Sequence, residues 1–547
     1  MVQELIERPH PWWNWWILGL SLLVVGAGVG VDLMEVDAAQ YASMGQEMNH
    51  SGLWVTLHEH GAKYQSRGYP DKPPLVFWAA ALGTKVLGAT NAGAKLISVL
   101  VGLLGIWAIG KWASELLGPG TEWPARIFYG ANLGMGLMLM DVRTDTLLVG
   151  LVTLTGWQAQ VWRRTFTWTS TVTTFGLLGL AMLAKGPLAL MALMAVHGGE
   201  ALWSRDYRLL RNSRLWIGLA VTLAVLMPWL WGLYQQWGWK NGVWYYLWTQ
   251  NFGRLSGENP WAHKADYTFV LHNLAWTFLP WVIMVPAALR HALTRKQRTQ
   301  AWSRQVLTAW FLLAMGLSLS KFQLPHYVYI LWPFQALLLA RWWAGRPDYN
   351  LWLWATAAIV LVVAGAGTAL GDLAFGTFPL GLGLTVAVLA GMYGLWRRTR
   401  ISGHAWVLVL GASGMLLALL QLHLFFYPKL LHYQGSSQLG LWFREHRPGS
   451  QVAAYGCGEE SLHALHFYTR SIVPTWTKPS DLRFPTGGSL YVYSNPEAVQ
   501  GLQQAGYRVS TLREIPTLKV TRLGWKVLNP RLRSGVTGRA GIYRIDP

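Results

Sequence analysis

Apolar runs long enough to cross a bilayer recur along this chain, and clusters of arginine and lysine close every second one from Arg163 and Arg164 onward. The later clusters are Arg205 to Arg214, Arg290 to Arg298, Arg341 with Arg346, and Arg397 to Arg400. Lys and Arg are retained on the cytoplasmic side during insertion, so these loops are expected to face the cytoplasm. The intervening loops carry the polar motifs: D-K-P-P-L at Asp71 to Leu75, Asp145, A-K-G-P at Ala184 to Pro187, Arg254 to Lys264, and K-F-Q-L-P-H-Y at Lys321 to Tyr327. All of these fall on the opposite face. A chain that crosses the membrane many times and gathers carboxylates, cations and prolines on one side places its chemistry at that lipid and water boundary.

Composition agrees, since 52% of the 547 residues are hydrophobic and only 13% charged, about half the charged share of a soluble domain. A hydrocarbon core of about 30 Å takes roughly 20 residues per helix. By that measure spans begin near Trp13, Ala94, Trp123, Thr144, Thr169, Pro187, Leu215, Phe269, Val306, Tyr327, Leu351, Phe378 and Ala405, about thirteen transmembrane helices in all. An odd number with a cytoplasmic N-terminus leaves the C-terminus outside, with the polar motifs. The run from Trp12 to Val31 has no small-residue cleavage site before the first polar motif and is expected to be a retained first span. Phe77 to Leu87 is apolar but short. Counting it as a crossing would put Asp145, Arg163 and Arg164 on the wrong sides, so it is expected to be re-entrant or surface-lying within a large first external loop, 32–93.

After Tyr427 and Pro428 the apolar character falls away. Strand-like runs at Val452 to Tyr455, Leu490 to Tyr493, Tyr507 to Ser510 and Gly541 to Ile545, with a helix-like stretch at Pro496 to Ala505, predict a small extracytoplasmic α/β domain. The expected division is a membrane domain at 1–433 and a soluble domain at 434–547. The net charge of +20 sits largely in short loops beside apolar spans, which points to topology and anionic lipid headgroups and not to nucleic acid. The 35 tryptophans fit the membrane interface. A single cysteine, Cys457, excludes an intramolecular disulfide and is expected in the core of the small domain.

Several residues on the external side have the chemistry of a site. Asp37, in E-V-D-A-A-Q-Y-A just beyond the first span, can take a proton from a hydroxyl at the membrane surface; a solvated helix cap is the plain alternative. Lys72 is fixed by the prolines after it and either snorkels to headgroups or holds a lipid phosphate. Asp145 opens a span one turn after Asp141 and Arg143, with an Asp145–Arg143 ion pair as its structural alternative. Arg254, His263 and Lys264 share an aromatic-rich interfacial loop. Lys321 and Tyr327 stand at the junction of two spans, where the tyrosine hydroxyl can donate to a phosphate. His58, Glu59 and His60 lack a helical metal-binding spacing and are expected to be solvated loop residues.

In order, these motifs resemble the membrane glycosyltransferases of the GT-C fold, within the protein O-mannosyltransferase-like superfamily that includes the bacterial lipid A aminoarabinose transferase. Asp37, Tyr41 and Ala42 resemble its D-E-x-R-Y-A, Gly52 and Trp54 its G-x-W, and Lys72 to Leu75 its K-P-P-L. Asp145 matches its second aspartate, Lys185 to Pro187 its K-G-P, and Leu324, Pro325 and Tyr327 its L-P-x-Y. The resemblance runs from residue 13 to about residue 430. Two positions depart from it: Ala38 stands where the family usually has Glu, and Gln40 where Arg is common.

The resemblance implies a sugar donor linked to a polyprenyl phosphate, undecaprenyl phosphate in a bacterium, and an acceptor that is a lipid, a glycan or a protein. It implies Asp37 and Asp145 as catalytic carboxylates and Lys72, Arg254, Lys264 and Tyr327 around the donor phosphate. Tyr41, Tyr64, His263 and Lys321 are further substrate-binding candidates. A divalent metal is left open, with no cofactor otherwise implied. The implied place is the bacterial inner membrane, with the active site and the C-terminal domain outside the cytoplasm. The competing readings are a lipid or sugar transporter and a catalytically silent scaffold. Against the transporter stand polar motifs at one face and the absence of a visible repeat.

Overall fold

Helices follow the apolar runs in a computed structural model that describes residues 12–60, 66–258, 264–398, 402–458, 462–484 and 488–546. After α1 (Trp12–Gly30) come α2 (Asp37–Ser51), the antiparallel strands β1 (His58–His60) and β2 (Ser66–Gly68), and α3 (Leu75–Leu87). Next are α4 (Asn91–Leu117), α5 (Glu122–Gly130), α6 (Leu133–Leu139), α7 (Thr144–Thr165), α8 (Trp168–Lys185) and α9 (Leu188–Ser204). α10 (Ser213–Gly238) runs on through a π-helical stretch, Trp239–Phe252, into α11 (Gly253–Ser256). α12 (Phe269–Thr277), α13 (Val285–Ala292) and α14 (Arg295–Arg298) are short. The helical part ends with α15 (Ala301–Leu319), α16 (Trp332–Ala344), α17 (Tyr349–Phe375), α18 (Phe378–Arg398), α19 (Gly403–Gln421) and α20 (Tyr427–Leu431).

Among the described residues, six helices are long and apolar enough to cross a membrane: Trp12–Gly30, Asn91–Leu117, Ser213–Phe252, Tyr349–Ala369, Pro379–Arg398 and Gly403–Leu431. Several other expected spans are broken or carry charge. The segment from Trp123 divides between α5 and α6, where the Asn132 side chain accepts from the Met135 N–H at 2.8 Å and caps a new helix. The segment from Phe269 is interrupted before Pro280, which cannot donate to a helical ladder. α7 has 22 residues but bears Asp145, Arg163 and Arg164. α3 has 13 residues, about 20 Å of helix at 1.5 Å per residue, short of a hydrocarbon core of about 30 Å. It packs against α2 and α4.

Small residues and buried polar groups fix the helical part. α4 and α7 touch where a Cβ on Gly105 would lie 2.9 Å from Gly150 Cα, and one on Gly150 would lie 2.6 Å from Val101 O. Such close approach of backbones is how helices gain dispersion contact when lipid removes the hydrophobic drive between them. Lys95 of α4 is fully buried and donates to Gly28 O at 3.1 Å and to Val31 O, covering the last carbonyls of α1. At the arginine-rich end, Glu200 of α9 accepts from Arg163 of α7 at 2.5 Å and from Gln305 of α15 at 2.7 Å.

The C-terminal part contains α21 (Gly435–His446), β3 (Val452–Tyr455), α22 (Leu462–Thr469), β4 (Thr475–Trp476), β5 (Leu490–Ser494), α23 (Pro496–Gln504), β6 (Arg508–Thr517) and β7 (Gly538–Asp546), with two helical turns at Trp525–Leu528 and Pro530–Arg533 between the last strands. Its sheet order is β4-β3-β5-β7-β6. β3 runs parallel to β4 and β5, and β7 runs antiparallel to β5 and β6. Alternation along β3 sends Val452 and Ala454 to a core with Leu439, Phe443 and Ile542, and Ala453 and Tyr455 to one with Val492, Leu502 and Ile545. Cys457 is half-buried at the edge of the first.

This unit grips the segment between α1 and α2. The Gln434 side chain accepts from Glu35 N at 3.0 Å and donates to Leu33 O at 2.8 Å. Tyr468 OH accepts from Leu33 N at 2.8 Å and donates to Asn91 Oδ1 at 2.8 Å. Gln438 donates to Asp32 at 2.9 Å.

Replacing Gly150 by Val pushes three carbon atoms into the α4 contact. The expected cost is about 1–3 kcal/mol of overpacking, read as a lower thermal midpoint of the detergent-solubilised protein; an unchanged midpoint would show that α4 and α7 separate freely.

Candidate active site

Five helix starts and ends bring the polar motifs together. Asp37 lies in the first turn of α2, where a carboxylate faces the positive end of the helix dipole. Pro73 and Pro74 preset the backbone just ahead of α3 and leave Lys72 outside that helix. Asp145 lies in the first turn of α7. Lys185 is the last residue of α8, and Gly186 turns the chain into α9 at φ 76°, where an added Cβ would also lie 2.7 Å from Asn251 Oδ1. The positive φ is what favours glycine there. Pro325 starts a 3₁₀ turn, Pro325–Leu331, that presents His326 and Tyr327.

These ends line one cavity of about 510 Å³, walled by Asp37, Tyr41, Lys72, Arg143, Asp145, Lys185, His326 and Tyr327 among others. Two carboxylate–lysine pairs occupy it. Lys72 Nζ is 3.2 Å from Asp37 Oδ1 and donates to Tyr41 OH. Lys185 Nζ is 2.5 Å from Asp145 Oδ1 and lies 4.3 Å from the centre of the Tyr327 ring. His326 Nε2 stands 3.7 Å from the other Asp145 oxygen. Asp71 ties the Lys72 segment to the π-helical stretch by accepting from Tyr245 OH and Gln250 Nε2, both at 2.9 Å.

The Asp37 side chain keeps 43% of its surface open, and that of Lys72 27%. Burial by the crowded walls works to raise the Asp37 pKa, but Lys72 and Arg143 outweigh it and hold the carboxyl below its ordinary value. For Lys72, burial works downward, and Tyr69 and Asp37 more than offset it, leaving the ammonium above the ordinary lysine value. Both groups are therefore charged at neutral pH.

A second, mainly apolar groove opens beside the cavity. It shares Lys185, Gln250, Asn251, Phe322 and Tyr327 with it and continues along Met191, Leu312, Leu313, Gly316 and Leu317 of α9 and α15. The polar chamber is thus joined to a furrow whose walls suit hydrocarbon.

Of the residues expected from sequence, Asp37, Tyr41, Lys72, Asp145 and Tyr327 meet in the cavity. Lys321 instead donates to Ser256 O at 2.8 Å from an exposed position, and Lys264 is exposed away from the cavity lining. Arg254 lies in α11, its side chain outside the described part, and Tyr64 and His263 lie outside the described residues. In place of the Asp145–Arg143 ion pair that was the structural alternative stand two others: Arg143 lies 3.6 Å from Asp141, and Asp145 takes Lys185. Asp145 therefore orders Lys185.

Glu59, expected in a solvated loop, is 5% exposed and lines the cavity. It accepts from Gln40 at 2.5 Å and lies 3.3 Å from His463. Its short strand gave no apolar pattern to announce burial. Lys185 was visible only as a motif match, and His326 and Arg143 only as neighbours of residues singled out. Among the described residues, no group of three or more His, Cys, Asp or Glu is placed to hold a metal ion.

Comparison with known proteins bears on the fold. Residues 71–231 match the family described as dolichyl-phosphate-mannose-protein mannosyltransferase. The chain is 30% identical over 311 residues to the undecaprenyl phosphate-alpha-4-amino-4-deoxy-L-arabinose arabinosyl transferase of Pseudomonas savastanoi pv. phaseolicola, covering 53% of this chain and 54% of that one. It is 29% identical over 308 residues to its namesake in Pseudomonas aeruginosa strain LESB58, covering 53% and 52%. The chain spans about half the length of these relatives. The crystal structure of ArnT from Cupriavidus metallidurans bound to undecaprenyl phosphate superposes with a TM-score of 0.73 at 18% identity, over 97% of this chain and 98% of that one. The chain is a polytopic α-helical membrane protein of the GT-C fold, similar over about half its length to the aminoarabinose transferases.

Proposed function

We propose that this protein is a glycosyltransferase that moves a sugar from a polyprenyl-phosphate donor to an acceptor hydroxyl on a lipid, a glycan or a protein. The observation that carries the reading is the junction of the lysine–carboxylate chamber with the apolar groove. A polyprenyl chain fits the groove, its phosphate meets Lys185, Tyr327 and Lys72 at the junction, and the sugar projects toward Asp37. The similarity to transferases named for undecaprenyl phosphate supports the same donor, and the arginine clusters at the other ends of the helices favour a site outside the cytoplasm of a bacterial inner membrane.

In the reaction the acceptor oxygen attacks the anomeric carbon from the side opposite the phosphate. The bond from that carbon to the phosphate oxygen breaks, its electron pair stays on the phosphate, and the acceptor proton passes to Asp37. The sugar inverts and polyprenyl phosphate leaves. Lys72 and Lys185 stabilise the charge growing on the leaving oxygen in a poorly hydrated chamber. Donor binding also changes Asp37: when Lys72 turns to the phosphate, the cation that depressed the carboxyl moves away, and Asp37 becomes a stronger base once the donor is seated.

Transfer of labelled sugar from a panel of undecaprenyl-phosphate sugars to a membrane extract tests the reading. Asp37→Asn is expected to reduce turnover by about 10²–10⁴-fold while donor lipid still binds, and Lys72→Ala to lower kcat/KM. Full turnover by Asp37→Asn would remove Asp37 as the base. Movement of donor lipid across vesicles without sugar transfer would favour a transporter.

The pH dependence gives a second check. Asp37 acts only when ionised, so activity falls as pH drops through its pKa. That pKa is depressed in the free protein and rises when Lys72 is drawn to phosphate. The acid limb of kcat/KM, which reports the free enzyme, is therefore expected at lower pH than that of kcat, which reports the complex; the reverse order would refute the exchange of Lys72.

A further inference from the structure

Outside the two lysine–carboxylate pairs, three side chains link the C-terminal unit to the helix that carries Asp37. His463, on α22, places Nε2 3.3 Å from Glu59 Oε1, and the same oxygen accepts from Gln40 Nε2 at 2.5 Å. Gln40 follows Asp37 by three residues on α2, so the two lie on neighbouring turns of one face. Gln40, Glu59 and His463 are 9%, 5% and 7% exposed, and all three line the cavity. Arg67 stands opposite Glu59 in the β1–β2 register.

Burying the Glu59 carboxylate costs free energy unless its lone pairs are met, and two of its described partners come from different parts of the chain: α2 and the C-terminal unit. The same unit also holds the backbone leading into α2, through Gln434 and Tyr468 on Leu33 and Glu35 and through Gln438 on Asp32. The C-terminal unit therefore contacts the chain just before Asp37 directly and reaches the turn just after it through Glu59. A domain that merely rested on the helical part would not need a side chain in the cavity wall.

We propose that the C-terminal unit sets the position of Asp37, with His463 acting through Glu59 and Gln40 on α2. His463 is a positioning residue in this scheme, since it touches the wall of the site and not the reacting atoms. The inference rests on the glycosyl transfer proposed above and assigns the C-terminal unit a part in it. Displacing a reacting group by about 1 Å costs on the order of 100-fold in rate, so a small shift of α2 is enough to be read in turnover.

The test uses the full-length protein in detergent or vesicles and compares wild type, His463→Ala and His463→Gln for kcat, donor KM and thermal midpoint. Glutamine can return an N–H to Glu59 from nearly the place of Nε2. The expected result for His463→Ala is a fall in kcat of about 10- to 100-fold with donor KM and thermal midpoint near wild type, largely recovered in His463→Gln. Wild-type kcat in His463→Ala overturns the positioning role, as does a loss that tracks a lowered midpoint or a raised donor KM and is not recovered by Gln. Absence of transfer by the wild type overturns the functional reading itself, and the inference with it.

Discussion

Pairing of buried or half-buried carboxylates with lysines is the interaction on which this site depends. Taking either charge of such a pair from water is costly, and attraction in a low-dielectric setting returns that cost only with close geometry and added hydrogen bonds. Asp145 is nearly inaccessible and meets Lys185 at 2.5 Å; Asp37 is open to the cavity and meets Lys72 at 3.2 Å. The tighter, drier pair suits a fixed scaffold, and the looser one suits a partner that exchanges. On the proposed reading, a donor phosphate competes for Lys72 more readily than for Lys185, because less has to be broken.

The helices exist to hold those groups at their ends. Helix termini supply polar residues with a defined direction, and the membrane requires every backbone group between them to be satisfied internally. The site is accordingly made of first turns, last turns and the prolines and glycine beside them. Asp37 and Asp145 open helices, Lys185 closes one, and Gly186 allows Asn251 to approach. The apolar furrow along α9 and α15 opens beside those ends.

Much of the fold and part of the site can be read directly from the residues. The arginine clusters and apolar runs define a polytopic helical chain, and strand-length alternation marks the sheet after Tyr427. D-K-P-P, A-K-G-P and L-P-H-Y point to Lys72, Lys185 and Tyr327 because proline and glycine punctuate the backbone where a site needs fixed geometry. Helix length was less legible: Asn132 and Pro280 break runs whose composition is continuous, and composition alone does not weigh a cap against hydropathy. Lys264 reads as a phosphate ligand and Lys321 as a substrate-binding residue because a loop cation looks the same in sequence whether it faces a cavity or water.

The sequence by itself determined the membrane class, the separation of the polar motifs from the arginine clusters along the apolar runs, and the residue types available to hold an anion, because insertion and burial depend on local composition and charge. Tertiary structure alone decided which carboxylate takes which lysine, that Glu59 is buried, and that His463, more than 400 residues from Gln40, reaches the same carboxylate. Those facts depend on contacts between elements distant in the chain, and no local pattern encodes them, since the energy that selects one partner over another appears only when the helices and the C-terminal sheet are packed.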